Sequence, residues 1–179
     1  MVEEKVALRK MIRSRLLALD ASEKDARSAV LANEVKRHLA VLGAKVVALF
    51  SPLRDEVPLW PLVEELASTM LIVLPKVQGE TMEFYCYSPE AMECGAFGIM
   101  EPAGGAMAVM PFEIDAVVVP GVAFTKDGAR MGRGKGFYDK YLSQNEFRGI
   151  KIGVCFKEQI LDGLPVEPHD VKMDVVIYV

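Results

Sequence analysis

A chain of 179 residues, 51% apolar and 26% charged, has an ordinary globular balance and enough length for one domain, residues 1–179, with its own core. Its net charge of −4 argues against nucleic acid or other polyanions as general partners. The longest apolar runs are strand-sized, which excludes a membrane-spanning helix.

Cys86, Cys94 and Cys155 are an odd set without C-x-x-C spacing, which argues against a zinc site and against a disulfide framework. Reduced, mostly buried thiols are expected instead. The opening "MVEEKVALRK" carries acids and no apolar signal core. The expectation is a cytoplasmic, unanchored protein.

The first forty residues predict two helices. Leu8, Met11, Ile12, Leu16 and Leu19 recur at spacings of three and four, an apolar stripe, while Lys5, Arg9 and Arg13 share another face. Ser22 is the expected N-cap of a second helix that runs to about Leu42, where Gly43 ends it as a left-handed cap. "KVVALF" (45–50) and "LIVLP" (71–75) predict buried strands flanking a helix at about 61–68. This β-α-β rhythm implies parallel pairing with helices covering the sheet. "TMEFYCY" (81–87) predicts an added strand, and residues 88–112, rich in Gly, Ala, Met and Pro, an irregular loop. "IDAVVVP" (114–120) is the clearest strand. "IKIGVCF" (150–156) and "DVVIY" (174–178) supply two more, after a short helix at about 136–143. The expected fold is α/β with an open, mainly parallel sheet.

Between the strand at 114–120 and that short helix lies "RMGRGKGFYDKYL" (130–142), with Gly132, Gly134 and Gly136 in alternation. Open α/β folds bind ligands on this side of the sheet, and a helix start offers unpaired N–H groups to an anion. Glycine leaves no Cβ to block a phosphate and permits positive φ. Residues 126–140 hold five cations (Lys126, Arg130, Arg133, Lys135, Lys140) against two acids, a basic island in an acidic chain. Neither G-x-x-x-x-G-K-[ST] nor G-x-G-x-x-G is matched, because Gly136 and Phe137 stand at the deciding positions. These residues point to a phosphate-bearing ligand, against the plainer reading of a surface turn with solvated charges.

"VVVPGVAFTKDGARMGRGKGFYDKYL" resembles the signature of the 5-formyltetrahydrofolate cyclo-ligase family, also called methenyltetrahydrofolate synthetases. "KVALR", "SPLRDEV", "FGIMEP" and "VEPHDVKMD" resemble the family's other segments in the same order. The resemblance implies a three-layer α/β/α fold, similar to ribose-5-phosphate isomerase and CoA transferases. It also implies conversion of 5-formyltetrahydrofolate to 5,10-methenyltetrahydrofolate with ATP and Mg²⁺. On that basis Lys5, Arg9, Arg130, Gly132, Arg133, Gly134, Lys135, Gly136, Phe137 and Tyr138 would bind ATP. Phe50 and Glu56 would hold the folate, together with Arg9, Arg133, Gly134, Lys135, Gly136 and Phe137. Arg133 and Lys135 would neutralise charge in the reaction, and Asp139 and Asp170 would take Mg²⁺. A monomer is expected.

Each residue has a plainer role open to it. Lys5 and Arg9 could be a solvated helix face; Glu56 could cap the following helix, and Asp139 could serve its helix dipole. His169 could orient a loop, and Trp60 could be core. Two positions depart from the family pattern: Phe137 stands where Tyr is common, and Leu59 where Thr is usual. A sugar-phosphate isomerase type on the same scaffold, or a silent nucleotide- or folate-binding module, would be the alternatives.

Overall fold

The computed structural model describes residues 2–95 and 98–179; Met1, Ala96 and Phe97, the last of them in "FGIMEP", lie outside the described residues. Helices α1 (Val2–Leu17) and α2 (Ala21–Leu42) come first. Ile12 and Leu16 of the predicted stripe are buried, whereas Met11 is exposed and Leu19 packs beside the core from just beyond α1. The N-cap of α2 is Asp20, not Ser22: the Asp20 carboxylate accepts the Ser22 N–H at 3.1 Å, satisfying a donor that the helix itself leaves free. Gly43 closes α2 in the left-handed conformation at φ 61°, as its sequence position predicts.

The central sheet has seven strands: β1 (Val46–Ala48), β2 (Leu71–Gln78), β3 (Thr81–Cys86), β6 (Ala108–Val109), β7 (Ala116–Val119), β10 (Ile150–Cys155) and β11 (Val175–Tyr178). Their order is β11-β10-β7-β1-β2-β3-β6, with parallel pairing among the first five and antiparallel pairing of β3 with both β2 and β6. Alternation of side chains across the strands divides the interior in two. Val47, Leu49, Ile72, Leu74, Val118 and Ile152 face α1, α2 and the short α3 (Trp60–Leu66). Ala48, Val73, Val117, Val119 and Cys155 face α4 (Phe137–Leu142), Phe124 and Phe147. The result is a three-layer α/β arrangement with one heavily covered face and one lightly covered face.

The stretch 88–112 is not the irregular loop its composition predicts. It contains the hairpin β4 (Met92–Cys94) and β5 (Met100–Pro102) as well as β6. The part-buried Lys76 on β2 fastens that hairpin, donating to Glu93 at 2.6 Å and to the Pro102 carbonyl at 2.7 Å. A second hairpin, β8 (Ala123–Phe124) with β9 (Arg130–Met131), stands between β7 and the glycine stretch. The cysteines are all free, Cys155 buried and Cys86 part-buried as expected, but Cys94 is exposed. Among the described residues no helix is long and apolar enough to cross a membrane.

At Gly43 an added methyl would meet nothing within 4 Å, so the only cost of Gly43→Ala is the left-handed backbone. That cost is about 1 kcal/mol. Urea unfolding followed by circular dichroism is expected to show this loss with the denaturant slope unchanged.

Candidate active site

The chain leaves β1 toward β2 on one side and returns through β7 on the other, so β1 and β7 form the sheet's switch point. Beyond their carboxyl ends, at Phe50 and Pro120, opens a cavity of about 970 Å³. Every site residue expected from the sequence lines it, from Lys5 and Arg9 through Phe50, Glu56, Arg130 and the 132–139 segment to Asp170.

The glycine stretch makes one wall of the cavity. Gly134 has φ 100° and Gly136, the N-cap of α4, has φ 69°, conformations that L side chains rarely adopt. Gly132 has no positive φ; it is small because a Cβ there would sit 3.0 Å from the Arg130 guanidinium. Arg9 reaches over from α1, its Nε donating to the Gly132 carbonyl at 2.9 Å and the rest of its guanidinium lying beside Gly134. Arg9 is thus not a solvated helix side chain. Nor is Lys5: its side chain is 12% exposed and its ammonium sits 2.7 Å from Glu167 and 3.1 Å from Asp170. Glu167 is a lining residue for which the sequence reading had no role.

Arg133 crosses from the glycine stretch to the loop after β1, where Nε donates to Glu56 at 3.1 Å and a terminal nitrogen to Asp55. Glu56 does not cap α3, whose N-cap Leu59 makes no side-chain bond. Its second oxygen accepts the Leu53 N–H at 2.9 Å and so fixes the turn that presents it. Leu59, where the family pattern has Thr, is buried and absent from the cavity lining. Trp60 also lies off the cavity, edge-on to Tyr87 at 6.0 Å.

Arg130 is buried and structural in character: it pairs with Asp139 at 2.8 Å, donates to the Pro120 carbonyl at 3.3 Å, and lies over the Tyr138 ring at 5.6 Å. Asp139 also accepts the Val171 N–H at 3.1 Å, drawing the C-terminal segment against α4. This brings Asp170, adjacent in sequence, to the same side of the cavity as Asp139. His169 is exposed, with Nε2 3.8 Å from Glu167 and 3.7 Å from Asp170.

A profile of the 5-formyltetrahydrofolate cyclo-ligase family matches residues 1–179. The chain belongs to this family. It is 30% identical over 97% of its length to a mouse 5-formyltetrahydrofolate cyclo-ligase, covering 93% of that protein. With the cyclo-ligase of Mycoplasma pneumoniae it shares 31% identity, over 97% of this chain and 98% of the relative. The solved structure of Aquifex aeolicus 5,10-methenyltetrahydrofolate synthetase superposes with a TM-score of 0.86 at 36% identity, covering 97% of this chain and 89% of that one. The three-layer fold expected from the resemblance is therefore the fold observed.

Charge balance in the cyclo-ligase cavity follows from these pairings. Burial opposes charge on Lys5, but the hydrogen bonds it donates to Glu167 and Asp170 outweigh it and hold its pKa above the ordinary value. Burial likewise pushes the Asp170 carboxyl up, yet the Glu167 N–H and Lys5 bring it below the usual range. The Lys5 hydrogen bond lowers Glu167 too. Both carboxyls thus ionise more readily folded than unfolded, and their contribution is complete above the unfolded value and lost as pH falls through the depressed one. Urea midpoints taken from pH 6 down through the ordinary carboxyl values of 4.5 and 3.8 are the check. The expected outcome is a shallower acid loss in Lys5→Met than in the wild type.

Proposed function

We propose that this cavity carries out the family reaction: cyclisation of 5-formyltetrahydrofolate to 5,10-methenyltetrahydrofolate, with ATP converted to ADP and phosphate. The observation that carries the reading is convergence. Residues from the N-terminal helix, the loop after β1, the glycine stretch and the C-terminal segment, each matching a family segment, line one cavity.

An N-formyl amide is a poor electrophile whose oxygen is a poor leaving group. Transfer of the γ-phosphoryl group to that oxygen leaves an electron-poor formyl carbon; the neighbouring amine nitrogen attacks it and releases its proton to solvent, and phosphate departs with the C–O electron pair. Such transfer needs in-line positioning and charge neutralisation more than covalent help. Backbone N–H groups around Gly134 and Gly136 are the donors suited to phosphate oxygens, with Lys135 and Arg9 beside them as cations. Arg133 is the natural stabiliser where the loops meet, because it reaches from the phosphate wall to Glu56. Glu56, with its turn fixed by Leu53, presents a carboxylate to pterin N–H groups over the apolar Phe50.

Mg²⁺ fits the residues present. Asp139 and Asp170 are hard oxygen donors lining the same cavity, and Mg²⁺ commonly takes one or two carboxylates together with substrate phosphates. When bound it would supply charge neutralisation at the phosphates. Asp170 already faces the Lys5 ammonium, so Lys5 holds that carboxylate ionised and ready.

Purified protein with 5-formyltetrahydrofolate, ATP and Mg²⁺ is expected to give the near-ultraviolet band of the methenyl product, with equimolar ADP and phosphate. Equal rates without nucleotide would refute the reading. Glu56→Gln keeps an acceptor for Leu53 but loses the charge toward the pterin. Charge-assisted bonds are worth about 1.5–3 kcal/mol, so roughly a tenfold to hundredfold fall in kcat/KM for the folate is expected, with ATP affinity little changed.

Gly134→Ala forces a side chain into φ 100° and adds a Cβ on the phosphate wall. Lys135→Ala removes a charge alone. Calorimetric titration is expected to show loss of ATP affinity in both, and weak adenosine binding unchanged in either, with thermal melts excluding unfolding. Wild-type ATP affinity in Gly134→Ala would reduce the stretch to a turn.

A further inference from the structure

The carboxylates that line the cavity are Asp55, Glu56, Glu101, Asp139, Glu167 and Asp170. Each lies within 4 Å of an internal cation: Asp55 and Glu56 at Arg133, Glu101 at Lys76, Asp139 at Arg130, and Glu167 and Asp170 at Lys5. The lining cations are not all used in return. Among the described residues Arg9, Arg54 and Lys135 pair with no carboxylate, so these three are surplus to the internal pairings even though lining acids and cations are equal in number.

Two of the three surplus cations belong to the phosphate wall. Arg9 is tied to the Gly132 carbonyl and lies beside Gly134, and Lys135 is in the glycine stretch itself. Arg54 is different. It sits on the loop after β1, next to Asp55 and two residues before Glu56, in the turn that the Glu56–Leu53 bond closes. Its side chain is exposed at the cavity, and it makes no hydrogen bond among the described residues. A long cation with no internal partner, fixed at its backbone beside the carboxylate that takes the pterin, is placed for a second anion on the same substrate.

The folate supplies such an anion. Its pterin end is neutral, and its other end is a glutamate with two carboxylates. Resting on the folate reading above, we propose that Arg54 is a specificity-determining residue that binds the carboxylate tail of the substrate. The planar guanidinium can take a carboxylate through two parallel N–H bonds, which Lys cannot reproduce. The other source of the same chemistry is a phosphate of ATP, and the experiment separates the two.

Initial rates of the wild type, Arg54→Gln and Arg54→Lys are measured with 5-formyltetrahydrofolate and with 5-formyltetrahydropteroyl amide, in which an uncharged carboxamide replaces the glutamate. Because the site is open to solvent, the expected effect of Arg54→Gln is a rise of roughly fivefold in KM for 5-formyltetrahydrofolate, at unchanged kcat and unchanged KM for ATP. Arg54→Lys recovers part of the loss. With the carboxamide substrate the three proteins are expected to share one KM, since the partner of Arg54 is gone. An equal KM rise on both substrates, a rise in KM for ATP instead, or no change on either substrate would each overturn the proposal. A wild type that forms no methenyl product from either substrate would instead overturn the functional reading on which it rests.

Discussion

One guanidinium joins the two halves of this site. Arg133 belongs to the glycine stretch, yet it bonds to Asp55 and Glu56 on a loop more than seventy residues earlier. Its side chain is 32% exposed, so the net stabilisation is nearer the ~1 kcal/mol of surface pairs than the ~3–5 kcal/mol lost on breaking buried ones. Its value is positional. It sets the distance between the glycine stretch, proposed to hold the phosphates, and Glu56, proposed to meet the pterin, and phosphoryl transfer is sensitive to such distances.

The same economy runs through the cavity. Acids in it are held by internal cations, so that Asp139 pulls the C-terminal segment onto α4 while Asp170 and Glu167 dock α1 through Lys5. Structure and charge balance are therefore one design. The pairs that close the cavity also leave Arg9, Arg54 and Lys135 without a carboxylate partner, cations suited to the phosphates of a nucleotide and the carboxylates of a folate.

The parallel core was legible because β1, β2, β7, β10 and β11 are continuous apolar runs bounded by Gly, Pro or charge, and such runs have few other uses. The hairpins β4–β5 and β8–β9 were not. Their strands are two or three residues long, too short for a period, and long-range contacts such as Lys76 with Pro102 hold the first of them. Asp20 rather than Ser22 capped α2 because both residues are good caps and only backbone geometry chooses between them. In the site, the cation-rich glycine stretch could be singled out by composition alone, and it lines the cavity. Glu56, Asp139 and Asp170 were reached only by family resemblance, since an isolated acid carries no pattern. Asp55 and Glu167 were missed: their significance lies in partners far away in sequence, and no local signal marks them.

A structure of the protein with a non-hydrolysable ATP analogue and 5-formyltetrahydrofolate bound together would decide whether one cavity serves both substrates. The expected result places the β- and γ-phosphates against the backbone of residues 132–136 and the pterin ring at Glu56, with the formyl oxygen facing the γ-phosphate across Arg133. A nucleotide bound away from the glycine stretch, or a pterin out of reach of Glu56, would contradict it.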